Sequence, residues 1–512
     1  VVHDLNNVEA GMAQEGYLLG FDVGSSSIKA ALIDCATGRS AGEAASPKTE
    51  LAIDAPRPGW AEQDPMTWWE HAVAAAAELK AATGKAFDAV KAIGIAYQMH
   101  GLVLVDKAGT VLRPSIIWCD SRAVEIGEKA FHGIGEKLCL QRLLNSPGNF
   151  TASKLAWVKE NEPDVFSRAA VMLLPGDWMA FKMTGERSTT QTGLSEGILW
   201  DFASGGRADM VLDWYGIPHG LVAAAQPSFS TLGGLTAEAA SALGVKKGTP
   251  VCYRAGDQPN NAFSLGVLDP GEAAATAGTS GVVYGIIDAP RSDPASRVNA
   301  FVHVNHSAGA PRYGVLMCVN GTGILYSWLR RLLVGDSGVV PYDELNRVAS
   351  QAPVGADGLV VLPYGNGAER TLENRNPGAA VLGLDFNRHG IPHLLRAGQE
   401  GIVYALNYGL RIMKGMGQDT RTIRAGNANM FLSPLFREAF AAVTGARVEL
   451  YETNGALGAA RGAGVGAGLY RSAKEAFSAF TPVQTIEPDQ SKRDAYAQAY
   501  GLWEEALGRS LR

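Results

Sequence analysis

Tyr17-Leu18-Leu19-Gly20-Phe21-Asp22-Val23-Gly24-Ser25-Ser26-Ser27-Ile28-Lys29-Ala30-Ala31-Leu32-Ile33-Asp34 decides the fold. An apolar run rich in β-formers carries an acid near its end, breaks on Gly-Ser-Ser-Ser, and returns as a second apolar run. That is a strand, a tight turn and an antiparallel strand. Thr37-Gly38 marks another turn before Arg39–Ala45, so the opening unit is a β-meander. The grammar restarts about half a chain later. Thr249-Pro250-Val251-Cys252-Tyr253 reads as a short strand leading to Ala255-Gly256-Asp257 and a helix through Leu265. Glu272–Thr276 and Val282–Ile287 then flank Ala277-Gly278-Thr279-Ser280-Gly281, a second strand–turn–strand unit. Two such units predict duplicated α/β halves.

Between and beyond them the chain reads as ordinary α/β sequence. Asp64-Pro65 opens a helix with Trp69, Val73, Ala76 and Leu79 on one face, closed at Gly84. Ala92–Gln98 reads as a strand, and Gly101–Asp106 with Thr110–Arg113 as a hairpin. Ala152–Asn161 and Pro434–Val443 read as helices. Thr422–Asn429 reads as a strand running into a small-residue loop, and Arg447–Tyr451 as a strand. Gly455–Gly468 is dense in Gly and Ala, which suits a helix packed very closely on its neighbour, and Tyr496–Leu511 reads as an amphipathic helix. The expected division is a loose leader over 1–16, a first domain over 17–246 and a second over 247–512.

Bulk properties exclude several classes. The 512 residues exceed one ordinary core. A net charge of −6 gives no general attraction to nucleic acid or to an acidic membrane surface. No run of about 18 uncharged apolar residues could span a bilayer. The five cysteines form no CxxC pair, so reduced, buried or semi-buried thiols in the cytoplasm are expected rather than a zinc site.

The chemistry concentrates at strand ends. A Gly/Ser/Thr turn presents backbone N–H groups and hydroxyls to phosphate oxygens. Asp22 precedes the first turn, where a carboxylate can hold water around Mg²⁺ on ATP phosphates; an ordinary hairpin acid is the plainer alternative. A second such turn favours phosphate binding, since a clamp needs two jaws. Asp257, after a strand and opening a helix, suits an N-cap. It equally suits a general base accepting the proton of an attacking sugar hydroxyl. Met99-His100-Gly101 closes a strand and faces whatever cleft lies there. Trp118, in Trp118-Cys119-Asp120-Ser121-Arg122, is either core or an apolar platform for a sugar face.

Taken in order, these segments, with Pro58–Pro65, Gln98–Gly101, Ile116–Arg122, Gly256-Asp257, Gly278–Gly281 and Glu369-Arg370-Thr371, resemble the FGGY carbohydrate kinases over nearly the whole chain. Gln98-Met99-His100-Gly101 is most similar to the xylulokinase branch. The resemblance implies a two-domain, actin-like (ribonuclease H-like) fold with a central cleft, and transfer of a phosphoryl group from ATP, with Mg²⁺, to D-xylulose. It implies Asp257 as base and Met99, His100, Gln258 and Trp118 at the sugar. Asp22, through water, would support the metal. Gly24, Ser25, Ser26, Gly278 and Thr279 would hold phosphates, and Gly426 and Asn427 would lie at the adenosine. It also implies a homodimer. Other ketoses or polyols (L-xylulose, ribulose, glycerol) remain alternatives, as does an actin- or chaperone-like ATPase. A DNA-binding sugar sensor would need a basic reading helix, and none is apparent. The sequence departs from the pattern at Ser25-Ser26, at Asn427, at Leu372-Glu373-Asn374 and at Arg254. A phosphate contact and a local salt bridge are both open for Arg254.

Overall fold

The computed structural model describes residues 15–334, 340–368 and 370–512. The leader expected over 1–16 lies outside them except for Glu15 and Gly16, as does Glu369.

The first sheet has five strands. Its spatial order is Val251–Gly256, Val90–Tyr97, Tyr17–Val23, Ile28–Asp34 and Ser40–Ser46. The last three form the expected antiparallel meander, and the first two join it in parallel. The second sheet repeats this arrangement. Arg447–Tyr451 and Thr422–Gly426 lie parallel to Glu272–Ala277, which pairs antiparallel with Gly281–Ile287, itself antiparallel to Tyr313–Val319. Asn299–Val302 and Gln484–Ile486 extend its two edges. The duplicated two-domain arrangement is therefore present, strand for strand.

Val251–Gly256 pairs with Val90–Tyr97, so it is an edge of the first sheet. The division expected near 247 falls one strand ahead of the chain's passage to the second sheet, which begins at Glu272. The helix Asp257–Ser264 makes that passage and touches both sheets.

The Gly/Ala-rich segment forms the helix Gly455–Gly466 and lies on the first sheet, although it follows the second sheet's last parallel strand. Small residues on both sides allow this. A Cβ at Gly20 would stand 2.0 Å from the Ala456 carbonyl oxygen, and one at Gly94 would stand 2.0 Å from that of Ala459. Backbone therefore meets backbone, and the seam is filled by Leu18, Ala92, Ala96, Ala255, Leu457, Ala460 and Ala463. The helices Gly455–Gly466 and Asp257–Ser264 also pack on each other, and Asn260 Nδ2 donates to the Gly455 carbonyl at 2.9 Å. These two helices occupy matching places in the two halves and tie the halves together.

Local readings fared well where the signal was local. Asp64 caps Pro65–Thr83 by accepting from Met66 N–H, and Gly84 ends it. The expected hairpin over 101–113 is present but short: Asp106 N–H donates to Thr110 O and Leu112 N–H to Leu104 O, with an antiparallel bridge between Val105 and Val111. Val103–Val105 also pairs antiparallel with Val171–Leu173. No helix among the described residues is long and apolar enough to cross a membrane.

Candidate active site

Three parallel strands of the first sheet end side by side. Val23 stands opposite Tyr97, and Tyr97 opposite Gly256. Asp22, Gln98–His100 and Asp257 are thereby delivered to one sheet edge, the usual place for ligands in parallel α/β sheets. Asp22 and Asp257 belong to strands two apart, a backbone separation of about 10 Å.

Gly256, rather than Asp257, is the N-cap of Asp257–Ser264, so Asp257 occupies the first helical position. Asp257 keeps a partial opening to solvent. Burial pushes its carboxyl up to about 7, the charge of Asp22 adds to the rise, and hydrogen bonds from Gln258 and its own N–H oppose it. Asp22 is itself raised, by burial first, with Lys29 pulling the other way. Its carboxylate rests on the first residue of Gly455–Gly466, where a Cβ on Gly455 would lie 2.3 Å from Oδ2. The two carboxylates thus sit at the N-termini of the two crossing helices, where the helix dipoles favour negative charge.

The sugar-side residues predicted from sequence come together here. Met99 is 4% exposed and lies against Gly256. His100 adopts φ 62°. Its Nδ1 lies 2.9 Å from the Glu196 carbonyl; a carbonyl only accepts, so Nδ1 carries the proton and Nε2 is left as an acceptor. Burial, then the charge of Lys154, lowers His100 to about 3, and the ring is neutral. The ring is wedged between Phe150 and Phe301, one from each half of the chain. Trp118 is 50% exposed, which overturns the core reading. Its Nε1 donates to Ser25 Oγ at 3.2 Å, joining the Ile116–Arg122 segment to the first turn.

Each turn has its own brace. In the first, Gly24 N–H donates to Ser27 O, and Gln63 Nε2 donates to Ser25 O at 2.7 Å. Gln63 Oε1 in turn accepts from Trp68 Nε1 and Gln98 Nε2. In the second, Gly278 O accepts Thr322 Oγ1 and Gly323 N–H, each at 2.7 Å. Those bonds turn the carbonyls toward the helix Gly323–Val334. Ser26 and Thr279 are exposed at the turn tips. Asn429, at φ 55°, brings the Gly426–Asn429 loop next to Gly278. Nothing lies within 4 Å of a Cβ built on Gly426. Asn427 turns its side chain away to Glu452, with Nδ2 donating to Oε1 at 2.8 Å.

Arg254 is fully buried and pairs with Asp177 at 2.9 Å while donating to Ser188 O. The salt-bridge reading holds and the phosphate reading falls. Cys119, expected buried or semi-buried, is exposed.

Sequence reasoning missed several groups. Lys154, Glu196, Asp177 and Thr322 carried no motif of their own, and Gln63 lay within the Pro58–Pro65 run without a role assigned to it. Glu196 is buried beneath Gly256 with Tyr97, Asp257, Asp177 and Lys154 around it, and burial holds its carboxyl well above the usual range. Among the described residues no three His, Cys, Asp or Glu side chains converge to cage a metal. A single carboxylate, Asp22, suits a hydrated Mg²⁺ carried on phosphates.

The model of the N-terminal domain of the FGGY family of carbohydrate kinases matches residues 17–264, and that of the C-terminal domain matches 273–467. The chain is 31% identical over 487 residues to a xylulose kinase of Escherichia coli (strain K12), covering 93% of this chain and 96% of that one. It is 30% identical over 505 residues to the L-xylulose/3-keto-L-gulonate kinase of the same strain, covering 96% of each. The crystal structure of xylulose kinase from Rhodospirillum rubrum matches with a TM-score of 0.87 at 28% identity, over 96% of this chain and 98% of that one. With both halves matched in order, the chain belongs to the FGGY family of carbohydrate kinases and is an ATP-dependent sugar kinase.

Proposed function

We propose that the protein phosphorylates D-xylulose at its terminal hydroxyl, giving D-xylulose 5-phosphate and ADP, with Asp257 as general base. The observation that carries this reading is Asp257 itself. It is a carboxylate raised to about 7, at a helix N-terminus, directly after Gly256, against which Met99 packs, and within the field of Asp22. Sequence reasoning asked only for hydrogen-bond reach; a value near neutrality also matches proton acceptance at working pH.

The acceptor hydroxyl gives its proton to Asp257 as its oxygen attacks the γ-phosphorus in line. Neutral His100 accepts a sugar hydroxyl at Nε2, Met99 supplies an apolar wall, and Gln258 holds the Asp257 carboxylate in place. The turns at Gly24–Ser26 and Gly278–Thr279 hold the phosphates from opposite jaws, and Gly426 leaves room for the nucleoside. Mg²⁺, when bound with ATP near Asp22, neutralises phosphate charge. Closure of the two halves excludes water, which would otherwise compete with the sugar.

The 30% identity to an L-xylulose/3-keto-L-gulonate kinase supports a second reading, an L-configured or acidic ketose. ADP release with ATP and Mg²⁺ is measured across D-xylulose, L-xylulose, ribulose, 3-keto-L-gulonate and glycerol. The expected result is the highest kcat/KM for D-xylulose. A preference for another member moves the substrate, and ATP turnover indifferent to all of them removes the proposal.

A further inference from the structure

Lys154 lies in the first turn of the helix Thr151–Asn161 and is 0% exposed. Its ammonium donates to two backbone carbonyls, those of His100 and Ile117, each at 2.9 Å. One carbonyl belongs to a sugar-facing residue, and the other immediately precedes Trp118. The two segments already run together, with Leu102 N–H donating to Ile116 O at 3.0 Å. Lys154 clamps them at the end nearer the cleft.

His100 needs such a clamp. At φ 62° it sits in the left-handed region, which is strained for a residue with a Cβ and persists only where the surroundings dictate it. The structure fixes this residue from both ends. Lys154 holds its carbonyl, and the Glu196 carbonyl holds its ring. The outcome is one ring orientation with Nε2 free to accept.

A buried ammonium is itself costly. Burial lowers Lys154 to about 7, and the charges of Asp120, Cys119 and Glu196 pull it back up while Arg122 adds to the fall. A side chain serving packing alone would not require that charge.

We propose that Lys154 is the positioning residue of the acceptor subsite, setting the geometry of His100 and Trp118 without touching the nucleotide side. The proposal rests on the ketose-kinase reading above. Removing one end of two charge-assisted hydrogen bonds should release the His100 and Trp118 segments together and weaken ketose binding about 10-fold or more.

The test is steady-state kinetics of the full chain carrying Lys154→Met, with ketose and ATP varied in turn, beside His100→Ala and the double variant. Expected are a ketose KM raised at least ~10-fold and an ATP KM changed less than ~2-fold. The double variant should lose less than the two single losses combined, because part of the effect of Lys154 runs through His100 and only the part through Trp118 remains to be added. A ketose KM within ~2-fold of wild type, an equal rise in both KM values, or additive losses would each overturn the proposal. Where Lys154→Met does not fold, Lys154→Gln, which keeps a donor, is measured instead, and failure of both to fold assigns Lys154 to stability and overturns it too. The wild-type chain separates the two levels. Wild-type activity on a ketose with unchanged KM in the variant sinks the positioning role alone, whereas ATP turnover without any sugar sinks the reading beneath it and both fall. If the wild type prefers another polyol, the same two KM values are read with that polyol.

Discussion

The proposed acceptor side and the proposed nucleotide side of this site are built on opposite plans. The acceptor side is made once, from side chains of the first half: Met99, His100, Lys154, Glu196 and Asp257, mostly withdrawn from water and shifted in protonation by that withdrawal. The nucleotide side is made from two matching small-residue turns, each held by its carbonyls and open at its tip. At matching places after the parallel strands, the first half offers Asp257 and the second offers Asn454-Gly455. Asn454 caps its helix by accepting from Leu457 N–H, and Gly455 makes room for Asp22. On the proposed function, duplication supplied the phosphate grip and divergence at one helix N-terminus supplied the base. Selectivity for the acceptor would then be concentrated in the unrepeated part.

The largest effect is expected where the two plans differ most. Asp257→Asn should lower kcat by at least ~10²-fold while leaving ketose affinity nearly unchanged. Near-normal turnover in that variant would break the comparison at its root. The same residue predicts a pH profile. Only ionised Asp257 accepts a proton, so kcat/KM of the free enzyme should rise with pH up to about 7 and level off above it. Asp22 contributes to that elevation, so Asp22→Asn should move the acid limb to lower pH even as total activity falls. An unmoved limb would mean the two carboxylates do not sense each other. Stability should run the other way. A carboxyl raised on folding is less costly when protonated, so Asp257→Asn should melt above wild type at pH 8, and the gap should close toward pH 4. Thermal unfolding at both pH values checks this without any substrate.

Legibility followed the same divide. The turns at Gly24 and Gly278 could be read because each is a contiguous strand–turn–strand, and the duplicated fold followed from seeing two. Asp257 could be read because it stands directly between a strand and a helix. The place of Val251–Gly256 in the first sheet could not be read, since parallel pairing leaves no turn in the sequence to announce it. Arg254 stayed ambiguous because its partner, Asp177, comes from a distant helix. Lys154 reads as an ordinary helical lysine, and only tertiary packing shows that it faces inward. Gln63 and Thr322 hold backbone carbonyls of distant turns, a role that neither the Pro58–Pro65 run around Gln63 nor any local pattern around Thr322 announces.

The braces of the two turns give a smaller, sharper test. Thr322→Val removes a hydroxyl that donates to Gly278 O at 2.7 Å, while Gly323 N–H still holds the same carbonyl. One lost hydrogen bond of about 1 kcal/mol should raise the ATP KM roughly 5-fold and leave the ketose KM alone. Trp118→Phe removes the bond from Nε1 to Ser25 Oγ, but Gln63 still holds Ser25 O, and half of Trp118 already faces solvent. It should shift the ATP KM no more than about 2-fold. Because Trp118 also borders the acceptor, its ketose KM should move as well, whereas that of Thr322→Val should not. If Thr322→Val disturbed ketose binding as strongly as ATP binding, the jaws would not be separable from the acceptor pocket, and the division of labour between repeated backbone and unrepeated side chains would fail.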